Sequence, residues 1–151
     1  YLPTFLEKVE DADLVIGSRY VKGGGTVNWG AMRKMISWGG NAFARTMLRL
    51  KTHDCTSGFR CYRRKVLEVI PWESLHLEGY AFQIGAVHYV ERLGGRVVEF
   101  PILFEDRRVG ESKMSSHIVV EAVAFVLRTA LLRPYRRLVE TTEVEARVDV
   151  T

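Results

Sequence analysis

The sequence predicts an α/β fold, and three observations carry that prediction. Stretches with apolar residues at helical spacing alternate with short apolar runs along the chain, the pattern of helices interleaved with strands. "DLVIGS", residues 13–18, is a continuous apolar run ending in Gly-Ser, as an interior parallel strand does. "GYAFQIGAVHYVERLGG", residues 79–95, reads as a helix closed by a Gly-Gly C-cap and leads straight into a second strand, "RVVEFPILF".

The elements follow in chain order. Residues 2–9 have helical spacing, with Pro3 in the first turn, where its missing N–H is no loss. The chain thus starts inside a helix, at Tyr1 and not at a methionine, and is expected to be the C-terminal portion of something longer. After the first strand, "RYVKGGGTVNWG" is predicted to be a mobile loop, because Gly23, Gly24 and Gly25 follow one another. Residues 31–50 return to helical spacing, which puts Arg33 and Ser37 one turn apart on one face. "KTHDCTSG" is a polar loop, "FRCYRR" a short strand, and "KVLEVI" a short helix stopped by Pro71. Pro101 inside "RVVEFPILF" assigns that strand to an edge or a bulge. "EDRRVGESKMSS" is a second polar, basic loop, and Ser115 or Ser116 caps the final helix, "HIVVEAVAFVLRTALLRPYRRLVE". Without repeats or a linker, residues 1–138 form one domain and residues 139–151 a flexible acidic tail.

Composition narrows the function classes. Apolar residues make up 47% of the chain and charged residues 26%, a globular balance. The net charge of +4 is gathered into islands: Arg33 with Lys34, residues 60–65, Arg107 and Arg108 with Lys113, and residues 128–137. Such islands suit an anionic partner, whether a phosphate ester, nucleic acid or acidic lipid. Few aromatics interleave with them, which disfavours nucleic acid. Cys55 and Cys61 lack a companion spacing for zinc or a disulfide framework and read as reduced thiols. His53, His76, His88 and His117 share no metal spacing. The opening residues do not read as a signal peptide, and no uncharged apolar run reaches the roughly 20 residues of a membrane span.

Ligands of open α/β sheets collect beyond the carboxyl ends of the strands. Arg19 in "GSRY", the loop "HDCTSGFR" and the loop "FEDRRVGESKM" all follow strands or lie just downstream of one. Arg33 and Ser37 lie near the start of a helix, where the backbone dipole favours an anion. On residue type alone each has an ordinary reading as well: Arg19 pairs with an acid such as Asp13, Arg33 and Ser37 form a solvated helix face, and Arg60, Arg63, Arg64 and Lys65 are an exposed strand end.

"DLVIGSRY", "DCTSGFRCYRR", "GYAFQI" and "PILFEDRRVGESKM", in this order and at these separations, resemble the C-terminal half of the dolichol-phosphate or polyprenol-monophosphate mannose synthases. The resemblance runs from Tyr1 to about Arg133. It implies the C-terminal portion of a GT-A, Rossmann-like glycosyltransferase fold, with a mixed sheet flanked by helices. It also implies an inverting transfer of mannose from GDP-mannose to the phosphate of a polyprenyl lipid. By that resemblance Arg19, Arg33 and Ser37 hold the acceptor phosphate. Arg107, Arg108, Ser112 and Lys113 belong to a loop that closes over donor and acceptor phosphates, Arg60 is a further phosphate-binding candidate, with the choice among Arg60, Arg63 and Arg64 between touching a phosphate and bracing the loop left open, and Asp54 is a polar position next to the donor sugar or the acceptor. Asp54 and Arg107 are the catalytic candidates. A phosphate nucleophile needs no general base, since its second pKa is about 6. Bringing two anions together instead calls for arginines and a divalent metal, Mg2+ or Mn2+.

Two departures qualify the resemblance. The family's Asp-x-Asp metal motif lies upstream of the position matching Tyr1, and "DAD" at residues 11–13 precedes its strand where the motif should follow one, so the metal ligands are expected outside this chain and the fragment alone is expected to be inactive. Gly85 stands where members of the family commonly have an acid. Rival readings are a polyprenyl-phosphate glucosyltransferase and a non-catalytic module that binds lipid phosphate or membrane. The last helix either packs on the sheet or lies in a membrane interface with Arg133, Arg136 and Arg137 against anionic headgroups. The expected location is cytoplasmic, peripheral at the membrane.

Overall fold

A computed structural model describes residues 1–70, 72, 79–105 and 116–132. Within them lie α1 (Leu2–Val9), β1 (Leu14–Ser18), β2 (Gly25–Val27), α2 (Ala31–Leu48), β3 (Arg60–Tyr62), α3 (Arg64–Val69), α4 (Gly79–Arg92), β4 (Val97–Pro101), β5 (Leu103–Glu105) and α5 (Ser116–Leu132).

β1 is the central strand of a three-stranded sheet in the order β3-β1-β4, antiparallel to β3 and parallel to β4. Its side chains alternate between two cores, as a strand buried on both faces requires. Leu14 and Ile16 pack with Ala44 and Leu48 of α2, Ile84 and Val87 of α4, and Ala122 and Val126 of α5. Val15 faces the other way, against Phe5 of α1, Phe100 and Ile102. Each such side chain contributes about 1.5–3 kcal/mol on burial, so truncating Ile16 to alanine costs about 2–5 kcal/mol.

The glycine run differs from the expected loop. Its three members do separate jobs, and the third starts a strand. Gly23 adopts φ +91°, a region that disfavours side chains. Gly24 passes so close to the preceding turn that an added Cβ would lie 2.5 Å from the Ser18 carbonyl oxygen. Gly25 opens β2, which pairs in parallel with β5, Gly25 opposite Leu103 and Val27 opposite Glu105. Pro101 ends β4 at the sheet edge, as its missing N–H demands, and the chain crosses at Ile102 from the first sheet to the second.

α2 starts without a side-chain cap at Gly30 and ends where Arg49 turns left-handed at φ 56°. α5 packs against α4 and α2, and its Ala122 and Val126 share the core beneath the sheet with Leu14 and Ile16. It buries Ala122, Val126 and Thr129 and leaves Val120, Val123, Leu127 and Leu131 exposed. Among the described residues no helix is long and apolar enough to cross a membrane.

Candidate functional site

β1 delivers Arg19 from its carboxyl end into a cage made by the loop between α2 and β3. The Arg19 backbone N–H and Nε both donate to Asp54 Oδ2, at 2.9 and 2.8 Å, and Nη2 donates to Asp54 Oδ1 at 2.6 Å. Nη2 also donates to Thr56 Oγ1 at 2.8 Å. The Asp54 side chain is wholly enclosed and that of Arg19 is 8% exposed. Burial works against the Arg19 charge, but the hydrogen bonds and attraction of Asp54 win, and the guanidinium pKa lies above its ordinary value. Asp54, not Asp13, is therefore the acid that meets Arg19; Asp13 Oδ2 accepts the Arg96 N–H instead.

Thr56 is saturated in the same way. Its hydroxyl accepts from Arg19 and from Asn41 Nδ2, leaving its own proton to go to Asp54 Oδ1 at 3.3 Å. Asn41, buried on α2, ties that helix to the loop: Nδ2 also donates to the Ser37 carbonyl, and Oδ1 accepts from the Thr56 N–H and the Cys55 thiol. Burial and the neighbouring Asp54 carboxylate push the Cys55 thiol up to about 12, so it stays protonated and is no nucleophile at neutral pH.

Two carboxylates clasp the loop from behind. Glu99 of β4 accepts the backbone N–H groups of His53 and Asp54 at 2.7 and 2.9 Å, and Glu91 of α4 accepts those of Lys51 and Thr52. Ser57 Oγ donates to the Gly17 carbonyl at 2.7 Å. Arg60 directs its guanidinium to the carbonyls of Ser57, Cys55 and Gln83, so in this structure it braces the loop against α4. Arg63 similarly donates to the carbonyls of Val9 and Glu10, and Arg64 pairs with Glu68 at the surface.

Across from the cage, the first two turns of α2 present Arg33 and Ser37. The Tyr20 hydroxyl donates to Ser37 Oγ at 2.7 Å. The Arg33 Cζ lies 4.1 Å, and the Arg19 Cζ 5.4 Å, from the centroid of the Trp29 ring they both overlie. Arg19, Arg33, Trp29, Thr56, Phe59 and Tyr80 line one cleft of about 500 Å³. A second, narrower groove of about 60 Å³ runs between α2, α4 and α5, lined by Ile36, Phe43, Ile84, Val119, Val123 and Val126. Thr56 and Tyr80 line both.

Of the residues predicted from sequence, Arg19 and Arg33 line the cleft, Ser37 lines the adjoining groove, and Asp54 and Arg60 stand behind them in the loop. Arg107, Arg108, Ser112 and Lys113 lie outside the described residues. Asn41, Thr56, Tyr20, Trp29, Tyr80 and Glu99 were not singled out in the sequence. Thr56 stands inside the quoted "DCTSGFR" string and Tyr80 inside "GYAFQI", which was the available signal for those two. The described residues offer no fit for a divalent cation: no group of three His, Cys, Asp or Glu could hold a metal, and both Asp54 oxygens already accept nitrogen donors.

No family model matches the chain. Over 130 residues, 86% of its length, it is 51% identical to the undecaprenyl-phosphate mannosyltransferase of Micrococcus luteus and spans 54% of that protein. Over 112 residues, 74% of its length, it is 45% identical to the polyprenol monophosphomannose synthase of Mycolicibacterium smegmatis and spans 42% of that protein. The chain therefore spans about half the length of the curated relatives it matches, and on this likeness it belongs to the polyprenyl-phosphate mannosyltransferase family.

Proposed function

We propose that the whole protein transfers mannose from GDP-mannose to the phosphate of a polyprenyl lipid, on a GT-A scaffold, and that this chain supplies the acceptor side. The observation that carries the reading is the adjacency of the apolar groove and the arginine cleft, which share Thr56 and Tyr80 in their linings. An amphiphile fits that shape, its chain between the helices and its phosphate at Arg19, Arg33 and Ser37. The names of the two relatives point to the same acceptor class.

In this reading an ionised phosphate oxygen attacks the anomeric carbon, the new carbon–oxygen bond forms as the bond to GDP breaks, and GDP leaves with inversion. Ionisation at neutral pH makes a general base unnecessary. Asp54, sealed and hydrogen-bonded on both oxygens, acts as the positioning residue that aims Arg19. Arg107, Arg108, Ser112 and Lys113 belong to the loop that closes over the phosphates, and Mg2+ or Mn2+ takes its ligands from outside the described residues. The exposed apolar side chains of α2 and α5, among them Met35, Trp38, Val120 and Leu131, rest against the cytoplasmic face of a membrane.

The test offers GDP-mannose and UDP-glucose separately to the full-length protein with magnesium and a polyprenyl phosphate, and reads the glycolipid by mass spectrometry. A mannosyl lipid is expected. A glucosyl lipid would replace the donor, and lipid binding without any product would leave a binding module.

A further inference from the structure

We infer that Trp29 is a positioning residue for the acceptor phosphate: its indole face orients Arg19 and Arg33 so that two guanidinium groups from different segments converge on one anion. The inference rests on the acceptor reading above and names a residue that reading does not use.

Trp29 is held from its own side of the cleft. It follows β2 through Asn28, whose left-handed φ of 62° turns the chain back. Trp29 is 9% exposed, and its ring meets Phe104 of β5 edge to face, with centroids 5.7 Å apart. The β2–β5 pairing holds Phe104 opposite Thr26, three residues before Trp29. Over this anchored ring lie Arg33 at 4.1 Å and Arg19 at 5.4 Å, both inside the roughly 6 Å range of cation–π attraction.

The arrangement answers an electrostatic problem. Two like charges drawn together in a partly buried cleft repel, and the Asp54 carboxylate offsets that repulsion at Arg19, through Nε and Nη2. A π face attracts both cations from above the guanidinium plane, so it takes none of their in-plane N–H groups. A carboxylate in the same place would compete with the phosphate for those groups. Arg19 comes from the end of β1, Trp29 from the turn after β2 and Arg33 from the first turn of α2, so the ring also sets the three segments in register.

The experiment uses the full-length protein and its Trp29→Leu and Trp29→Phe variants. Calorimetry measures binding of farnesyl phosphate and, separately, of inorganic phosphate and farnesol. Steady-state assays measure KM for the lipid acceptor and for the nucleotide sugar. Trp29→Leu is expected to weaken farnesyl phosphate about tenfold and to raise acceptor KM in parallel, with donor KM little changed. Trp29→Phe, which keeps a smaller π face, is expected to recover most of that loss. The phosphate arm should weaken with the lipid, and the farnesol arm should not; the reverse would place Trp29 on the prenyl chain and overturn the inference. Unchanged farnesyl phosphate affinity in Trp29→Leu would also overturn it, as would equal losses in both variants. If Trp29→Leu does not fold, Trp29→Phe and Trp29→Tyr are compared with wild type, and affinities that do not follow the π face count against the proposal. Wild-type protein that binds farnesyl phosphate but transfers no sugar would sink the reaction and leave Trp29 to be judged by binding alone. Wild-type protein that does not bind it would remove the acceptor reading and Trp29's role together.

Discussion

The loop between α2 and β3 and the helix pair α2/α5 each invert the usual arrangement of a protein, in opposite senses. The loop buries polar groups: Thr52, Asp54 and Ser57 are almost fully enclosed. The helix pair exposes apolar ones: Trp38 is 64% exposed and Leu131 74%. In the loop, buried side chains and backbone N–H groups meet donors and acceptors from the end of β1, α2, β4 and α4, so enclosure strengthens the hydrogen bonds and fixes one geometry. On the helices, nothing among the described residues covers the apolar face, and its favourable burial is left for a partner outside the chain. Substitutions in the loop should therefore be felt in folding, and substitutions on the helices in binding.

The sharpest way to break that contrast is Asp54→Ala in the full-length protein. It leaves the largely buried Arg19 guanidinium, 8% exposed, without its carboxylate partner, and the expected loss is about 3–5 kcal/mol by denaturant unfolding. A loss below about 1 kcal/mol would mean that Arg19 finds water, and that the cage is not a folding element.

A second test asks whether buried polar groups outside the cage behave alike. Burial, reinforced by Arg92 and only partly opposed by Glu91, lowers the His88 imidazole to about 4. Because the folded state binds the proton less tightly than the unfolded chain, His88 contributes nothing to the pH dependence above pH 6.5. Its stability contribution is lost as pH falls from about 6.5 toward 4, on the order of 3 kcal/mol in all. Unfolding curves at pH 7.5 and 4.5 should show this loss, and His88→Leu should shrink it; an undiminished loss would place the acid sensitivity elsewhere.

The smallest effect on folding belongs to the helix face. Trp38→Ser is expected to change unfolding free energy by less than about 0.5 kcal/mol, yet to reduce cosedimentation with anionic vesicles. Unchanged cosedimentation would mean that the exposed apolar face of α2 does not meet lipid.

What the sequence made legible follows the same division. Helical period and the apolar run of β1 mark elements whose side chains repeat, and α1, α2, α4 and β1 lie where the period puts them. β2 escaped because its strand begins in glycine, which has no side-chain alternation to read, and its pairing depends on β5 far along the chain. The period of α5 shows that it has an apolar face but not that two helices cover part of it. In the site, Arg19, Arg33, Ser37 and Asp54 could be placed by ordered strings. Their supports could not, because the Asp54 N–H reaches Glu99 across 45 residues and Asn41 reaches Thr56 across 15. No local pattern encodes such a pair.

Ile102 belongs to two ladders at once. Its N–H donates to the Ser18 carbonyl at 3.0 Å, and its own carbonyl accepts the Gly25 N–H at 3.0 Å. The two sheets are consequently riveted at Ile102, which bonds Ser18, the residue before Arg19, and Gly25, four residues before Trp29. Adding or deleting one residue between Pro101 and Leu103 would slide β5 against β2 and turn its side chains over, carrying Phe104 away from the indole. The spacing of the cleft's cations is thus tied to the residue count of a strand that contributes none of them, and length variation that an ordinary surface turn absorbs would here misalign the whole site.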